Sequence, residues 1–258
     1  MRLRIELELR REILLPMNHQ YALSGLVYRL LEASDGEYAR FLHDEGYRLE
    51  PEKTKRFKLF TFSGLRVPKS RRQTVGDRLR IAPGPVEWLL SSPVNDFLTH
   101  SATGLLTAGA EVCVGAHSFI VREVAALPEP EFSARMRFTC LSAIVTSRRQ
   151  PDGGTYYLRP SDGEAFSEGV RNNLLQKHRL LHGTAPENAL TLTFDAEYLA
   201  RNPHGGQKKI TVKDGIDVIG AFAPFTLTGS TELMRTGYEC GFGEKNSMGF
   251  GMVEVAGG

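Results

Sequence analysis

The sequence contains few cysteines and no long hydrophobic segment, and these two shortages exclude several classes of protein. Its 258 residues include three cysteines, Cys113, Cys140 and Cys240, which lie far apart in the chain. An odd number of cysteines without a C-x-x-C pair argues against a disulfide framework and fits a reducing compartment. No apolar run approaches the roughly 18 residues that cross a bilayer, and the alternating charges at the N-terminus are unlike a signal peptide. We therefore expect a cytoplasmic protein that makes no membrane contact.

An excess of one charge is also missing, because the formal net charge is only +2. Net charge alone therefore says nothing about nucleic-acid binding. The distribution of charge is more informative, since ten basic residues and one acid, Asp77, fall between Lys53 and Arg80. This basic segment creates a local positive field. An ordinary solvated loop would have the same composition.

The first half of the chain contains a recognisable order of strand and helix patterns. Residues 1–10 alternate apolar and charged side chains, which is typical of a strand with one buried face. Apolar residues at helical spacing follow, first over 22–31 and then from near Asp35. The remaining patterns predict strands over 56–65, 79–81 and 112–124, and a helix opened by Pro85 that runs to about Phe97. This order is β-α-β-β-α-β, which is that of a ferredoxin-like domain.

The same order restarts after the segment LPEPEF, residues 127–132, which resembles a linker. Strands are predicted over 135–141, 190–194, 208–213, 217–225 and 251–255, and helices over 166–181 and 232–235. We therefore predict an α+β fold of two tandem ferredoxin-like (βαββαβ) domains, residues 1–126 and 132–258, with a C-terminal glycine-rich loop. Antiparallel sheets with helices on one face suit this arrangement.

The segment GYECGFGEKNSMGFG, residues 237–251, holds five glycines. It does not match a dinucleotide fingerprint, because a third glycine is missing after Gly243 and a helix precedes the loop while a strand follows it. We therefore expect no nucleotide cofactor. Two interpretations stay open: backbone N–H groups could approach an anion, or the glycines could form tight turns between packed strands.

Three segments of the chain carry a resemblance to one family. The core G-x-G-E-K-N-S-x-G-F-G of the glycine-rich loop is long and specific. Two further segments match in order and spacing: LPMNHQYALSGLVYRLL at 15–31, and YARFLHDEGY at 38–47 followed by FKLFTFS at 57–63. On these motifs the chain resembles the CRISPR repeat-processing endoribonucleases of the repeat-associated mysterious protein (RAMP) superfamily.

The resemblance implies RNA cleavage without a metal ion or any other cofactor. The ribose 2′-OH would attack the adjacent phosphate and leave a 2′,3′-cyclic phosphate and a 5′-OH end. His43 occupies the position of the general base or acid, Tyr28 that of the catalytic tyrosine and Lys58 that of the catalytic lysine. The connector before Lys58 is long and basic, so Lys55 or Lys53 could take its place.

The resemblance also implies CRISPR repeat RNA, as a hairpin or a single strand, as the partner. Such an RNA needs positive charge along its phosphates. The alternative interpretation of each lysine and arginine is an ordinary solvated side chain that makes no RNA contact. A homodimer and other CRISPR effector subunits are further expected partners, and a repeat-binding subunit that does not cleave is the alternative function. The candidate RNA contacts are His19, Arg66, Lys69, Arg71, Arg72, Lys208, Lys209, Lys213, Gly241, Gly243, Lys245 and Asn246.

Overall fold

Two antiparallel sheets, each packed against helices, organise the chain. The computed structural model describes residues 1–49, 55–107, 109, 111–184, 186, 189–212 and 215–256. Among these described residues, no helix is long and apolar enough to cross a membrane.

The first half of the chain forms a five-stranded sheet in the order β5-β8-β1-β10-β9. Short strands outside this sheet form the β2-β7-β6 and β3-β4 pairings. The elements of this half are β1 (Arg2–Leu9), β2 (Ile13–Pro16), α1 (Gln20–Ser34), α2 (Gly36–Arg40), β3 (Tyr47–Arg48), β4 (Arg56–Phe57), β5 (Thr61–Phe62), β6 (Arg72–Val75), β7 (Arg78–Ile81), β8 (Gly84–Ser91), α3 (Asn95–Thr107), β9 (Glu111–Val114) and β10 (His117–Leu127).

The second half forms a four-stranded sheet in the order β14-β17-β11-β18, with two separate hairpins, β12-β13 and β15-β16. Its elements are β11 (Arg135–Cys140), β12 (Ser147–Arg149), β13 (Thr155–Tyr157), α4 (Gly163–His182), β14 (Leu190–Phe194), α5 (Ala196–Arg201), β15 (Gln207–Thr211), β16 (Asp217–Ala221), β17 (Phe225–Gly229), α6 (Thr231–Cys240) and β18 (Val253–Val255).

Both sheets follow one topology. In the first, β1-α1-β5-β8-α3-β10 is the βαββαβ order, and in the second it is β11-α4-β14-β17-α6-β18. In each sheet the first strand lies between the third and the fourth, and the second strand lies outside the third. The predicted pair of ferredoxin-like domains is therefore confirmed.

The alternating pattern of β1 explains its central place in the first sheet. Apolar side chains at every second position, from Leu3 to Leu9, are buried in one core with residues of α1 and α3. The strand pairs with β8 on one side and with β10 on the other. α1 and α3 cross closely at Gly104, where a Cβ would lie 2.1 Å from the carbonyl oxygen of Leu30.

The predicted helix from Pro85 to Phe97 is wrong. Residues Gly84–Ser91 form the strand β8, and the helix begins only at Asn95. β8 pairs with β1 and β5 along its two edges, and its second half is buried on both faces of the sheet. Trp88 and Leu89 point to opposite faces and are 0% and 3% exposed. A strand that is apolar on both faces lacks the alternation that would distinguish it from a helix, and Pro85 is tolerated near the strand's start.

Arg2 joins the two domains. It extends from β1, is 3% exposed, and donates to the carbonyl oxygens of Val253 at 2.9 Å and Tyr238 at 3.0 Å. Its guanidinium also lies 3.8 Å from the centre of the Tyr238 ring. Burial lowers the pKa of Arg2 to about 10, so it stays charged near neutral pH. The first strand of the N-terminal domain is thus bound directly to the C-terminal domain.

Candidate active site

Tyr28, His43 and Lys58 come from three separate segments and meet at one place. α1 carries Tyr28, and a single π-helical turn, Phe41–Glu45, carries His43 directly after α2. The two rings meet edge to face, with centroids 5.2 Å apart and planes at 82°. Lys58 donates from its ammonium group to the carbonyl oxygens of Leu42 and His43. The three residues predicted from the family resemblance therefore form one cluster.

Asp44 is a fourth member of the cluster that the sequence motifs did not single out. Its Oδ1 lies 2.7 Å from His43 Nδ1, and both side chains are exposed. The hydrogen bond from His43 lowers the pKa of Asp44, and the charges of His43, Lys58 and Arg40 lower it further. An ionised Asp44 accepts a hydrogen bond from Nδ1, which leaves Nε2 of a neutral His43 as a proton acceptor. Adjacent side chains on a helix seldom face each other, so helical spacing does not predict the contact between His43 and Asp44.

Tyr28 is half-buried and keeps its proton. Burial raises the pKa of Tyr28 to about 12, and the negative charge of Asp44 contributes to the increase. The ring also packs edge to face on Phe60, with centroids 6.3 Å apart. At neutral pH the phenol is therefore a hydrogen-bond donor whose position is fixed by the core.

The charge of Lys58 depends on pH. Burial lowers the pKa of Lys58 to about 8, Arg56 and Arg48 lower it further, and Asp44 opposes the shift. Below this pH the ammonium places a positive charge beside His43. Lys55 is exposed and its ammonium lies over the Phe57 ring, 5.4 Å from the centroid, while Lys53 lies outside the described residues.

The backbone around Lys58 is unusually constrained. Leu59 has φ of 55°, in the left-handed region that non-glycine residues seldom adopt. Gly46 has φ of 64°, and a Cβ there would lie 2.7 Å from the Phe57 carbonyl oxygen and 3.2 Å from Lys58 Cδ. Leu59 is 4% exposed, so packing holds the strained conformation in place. The close approach at Gly46 fixes the path of Lys58 towards His43.

A second group of predicted residues lines a groove between the domains. Lys69 and Arg72 from the N-terminal domain and Lys208 from β15 line it together with Gln20 and Phe222. The Lys208 ammonium lies 5.2 Å from the centre of the Phe222 ring. Within the described part of the chain, these three cations form no ion pair. Gln20, which was not among the predicted contacts, is buried and its Oε1 has no hydrogen-bond partner among the described residues.

Lys209 lies on the other face of β15 and forms an ion pair with Asp217 at 2.6 Å. Successive residues of a strand point to opposite faces, so Lys208 and Lys209 do not share one surface. Lys213, also predicted as an RNA contact, lies outside the described residues.

His19, Arg66 and Arg71 have hydrogen-bond or ion-pair partners within the protein. The His19 ring is 7% exposed; Nδ1 lies 3.2 Å from the Pro16 carbonyl oxygen and Nε2 accepts from the Leu65 N–H at 3.2 Å. Burial lowers the pKa of His19, which favours this neutral form.

Arg66 pairs with Glu87 at 3.2 Å and with Glu254 at 3.1 Å. Arg71 donates to the carbonyl oxygens of Pro83 and Pro85. These contacts within the protein give the two arginines and His19 structural roles, while His19 also lines the groove beside Lys69 and Lys208; their RNA contacts stay predictions.

The glycine-rich loop packs between the domains. Gly241, Gly243 and Asn246 are buried, and a Cβ at Gly243 would lie 2.2 Å from the carbonyl oxygen of Val145. The Asn246 amide donates to the carbonyl oxygens of Phe242 and Phe250, which leaves it unsuited to a direct RNA contact. Lys245 is the exposed member of the loop. The tight-turn interpretation of these glycines therefore fits the structure better than an anion-binding cradle.

The fold is found in solved structures of proteins of known family. A solved structure described as "CRISPR associated protein Cas6" superimposes with a TM-score of 0.77 at 30% identity and covers 100% of this chain and 99% of its own. Another, "An RAMP protein binding different RNA substrates", gives a TM-score of 0.81 at 25% identity and covers both chains fully.

The CRISPR-associated endoribonuclease Cas6 1 of Methanocaldococcus jannaschii is 33% identical over 254 residues, which is 97% of this chain and 92% of the relative. The tandem ferredoxin-like domains and these likenesses place the chain in the RAMP class of proteins. Residues 14–125 match the family described as CRISPR-associated protein Cas6, N-terminal, and residues 127–255 match CRISPR associated protein Cas6, C-terminal. The chain belongs to the Cas6 family of CRISPR repeat-processing endoribonucleases, as the sequence motifs indicated.

Proposed function

We propose that this endoribonuclease cuts CRISPR precursor RNA within its repeats without a metal ion. The ribose 2′-OH attacks the adjacent phosphate, and the products carry a 2′,3′-cyclic phosphate and a 5′-OH. The observation that supports this chemistry best is the meeting of Tyr28, His43 and Lys58, since it supplies an acceptor, a donor and a positive charge in one cluster. The described residues contain no group of three His, Cys, Asp or Glu side chains arranged to hold a metal.

Each residue of the cluster takes one role in this proposal. His43 Nε2 receives the proton of the 2′-OH while Asp44 holds Nδ1. Tyr28, whose pKa is raised, gives its proton to the departing 5′-oxygen; His43 then releases its extra proton to water and Tyr28 takes one up from water, which restores both groups. Lys58 contributes positive charge beside the phosphorane and anchors the carbonyl end of the turn that carries His43.

The RNA lies along two positively charged surfaces in this proposal. Lys69, Arg72 and Lys208 in the groove bind phosphates, and Lys245 binds the RNA from the loop next to α1. The amide of Gln20 and the ring of Phe222 offer a hydrogen-bonding group and an apolar face to a base in the same groove. A homodimer and an assembly with other CRISPR effector subunits stay predictions from the resemblance.

A cleavage assay with a cognate repeat RNA tests the proposal. We expect cutting in EDTA, and we expect no cutting when the nucleotide at the cut site lacks its 2′-OH. His43→Ala should abolish most cleavage and leave RNA affinity unchanged, because an exposed ring contributes chemistry rather than folding. The matched control is His117→Ala in the β9–β10 hairpin, which should cut normally. Loss of cleavage in EDTA, or cleavage of the 2′-deoxy RNA, would contradict the mechanism.

A repeat-binding protein that does not cut is the second candidate. One structural neighbour, at 25% identity, is described as an RAMP protein binding different RNA substrates, and that description mentions no cleavage. Tight binding of cognate repeats without cleavage of any of them would favour this alternative over the enzyme.

A further inference from the structure

Lys177 is an enclosed cation that the proposed chemistry does not use. It belongs to α4 and is 2% exposed. Its ammonium donates to the carbonyl oxygens of Gly241 at 2.7 Å and Gly243 at 2.9 Å, and to Asn246 Oδ1 at 2.7 Å. An ammonium group has three donors, so each finds one oxygen. None of these partners is a carboxylate. The ammonium is held by three neutral oxygen atoms of the glycine-rich loop.

Burying such a charge is unfavourable unless its surroundings compensate it well. Burial lowers the pKa of Lys177 to about 7; Lys55 lowers it further, and Cys240 and Glu244 oppose the shift. The three oxygen atoms also favour the charged form, because all three accept from it. An apolar side chain here would leave these three buried oxygen atoms without their donor, which is unfavourable, so the lysine meets a need for three hydrogen bonds.

Those hydrogen bonds determine the shape of the loop. Lys177 binds Asn246 Oδ1, and the Asn246 amide nitrogen donates to the carbonyl oxygens of Phe242 at 3.2 Å and Phe250 at 3.0 Å. The exposed Lys245, next to Asn246, has φ of 58°, which is unfavourable for a residue with a side chain. A strained conformation of this kind persists only where neighbouring contacts fix it.

The other side of the loop rests on the N-terminal domain. Ser24 Oγ on α1 donates to the carbonyl oxygen of Ser247 at 2.9 Å, and Thr61 Oγ1 donates to that of Phe250 at 2.9 Å. Ser24 lies four residues before Tyr28, about one helical turn. The loop held by Lys177 therefore lies against the same helix that carries Tyr28.

We propose that Lys177 is a positioning residue for RNA cleavage. Its ammonium holds the glycine-rich loop in the conformation that presents Lys245 to the RNA beside α1, so that the scissile phosphate is aligned with Tyr28 and His43. This inference rests on the proposed function, in which the RNA passes along Lys245. Lys177 itself contacts neither the RNA nor the reacting atoms.

Lys177→Met tests the proposal, because methionine has a similar length but no charge and no donor. Leu174→Ala on the same helix is the matched control, since Leu174 is 0% exposed and belongs to the core of the C-terminal domain. Both variants should lose thermal stability. Only Lys177→Met should speed hydrogen exchange at the amides of residues 242–251 without a matching change in the β11, β14 and β17 amides.

The cleavage rate at saturating RNA separates positioning from stability. We expect Lys177→Met to cut at least about tenfold more slowly per folded molecule, since misplacing a substrate by about 1 Å has effects of this order. Leu174→Ala should stay within about twofold of the unaltered protein, because it removes core packing but none of the hydrogen bonds that hold the loop.

A double-mutant cycle with Lys245→Ala gives a readout that a purely structural role would not change. If Lys177 acts through the loop, Lys177→Met should reduce cleavage strongly when it is the only substitution. Added to Lys245→Ala, it should reduce cleavage little further. Independent, multiplying effects would overturn the proposal.

The failures of the two proposals are distinguishable. If the unaltered protein binds repeat RNA but does not cut it, the proposed function fails. Hydrogen exchange and RNA affinity of Lys177→Met then still test whether Lys177 holds the loop. Unchanged loop exchange in Lys177→Met would overturn the positioning role even if cleavage becomes slower. If Lys177→Met does not fold, Lys177→Gln, which keeps an amide donor, replaces it; failure of both variants to fold would also overturn the proposal, because it would reduce Lys177 to a structural residue.

Discussion

Lys58 shows how burial at the level of one residue controls the charge in the cluster. The folded protein lowers its pKa from 10.5 to about 8, so the ammonium is fully present below that pH and is lost as the pH rises through it. Loss of the charge weakens the two hydrogen bonds that anchor the His43 turn and, in the proposed mechanism, removes the stabilisation of the phosphorane.

We therefore predict that cleavage at saturating RNA decreases as the pH rises through about 8. Lys58→Arg should shift this decrease to higher pH, since a guanidinium stays charged there. Lys58→Met should cut slowly at every pH. Single-turnover rates over about pH 6 to 10, corrected for uncatalysed hydrolysis, measure the profile. An identical decrease in Lys58→Arg would show that another group titrates.

Within single elements, the alternation of a strand decides which basic residues act together. Lys208 lines the groove between the domains, whereas Lys209 lies on the opposite face of β15 and pairs with Asp217. Consecutive lysines in a sequence therefore do not necessarily form one RNA surface.

We predict that Lys208→Ala weakens RNA binding and reduces the slope of log affinity against log salt by about 0.7 to 0.9, the value for one phosphate contact. Lys209→Ala is the matched control, and its salt slope should change less because Asp217 already neutralises much of its charge. Filter binding or fluorescence anisotropy at several salt concentrations gives both slopes. Equal slopes for the two variants would contradict the assignment of the groove.

At the scale of the whole molecule, direct contacts join the two domains. Arg2 bonds to Val253 and Tyr238, and the glycine-rich loop of the C-terminal domain lies on α1 of the N-terminal domain. The proposed boundary at residues 127–132 falls between β10 and β11, which end and begin at Leu127 and Arg135. The division into domains 1–126 and 132–258 stays a prediction.

We predict that Arg2→Met lowers the free energy of unfolding by about 1 to 3 kcal/mol, because two buried carbonyl groups lose their donors. Arg4→Met is the control on the same strand: Arg4 pairs with Glu123 in an exposed ion pair, so its loss should cost less than about 1 kcal/mol. Urea unfolding at neutral pH, followed by circular dichroism, compares the two. A smaller effect for Arg2→Met than for Arg4→Met would show that this junction contributes little.

The sequence by itself indicated two repeats of the βαββαβ order, because strand and helix periodicities are local, but the third strand of each sheet, β8 and β17, fell almost wholly outside the strand ranges predicted for it. It also indicated Tyr28, His43 and Lys58 as candidate catalytic residues, because they stand in motifs that resemble one family. It misassigned β8, since a strand buried on both faces loses its alternation. Tertiary structure alone decided that Asp44 holds His43, that Lys177 lies inside the glycine-rich loop, and that Arg66 and His19 serve the fold. These contacts join residues through packing and burial, which local patterns do not record.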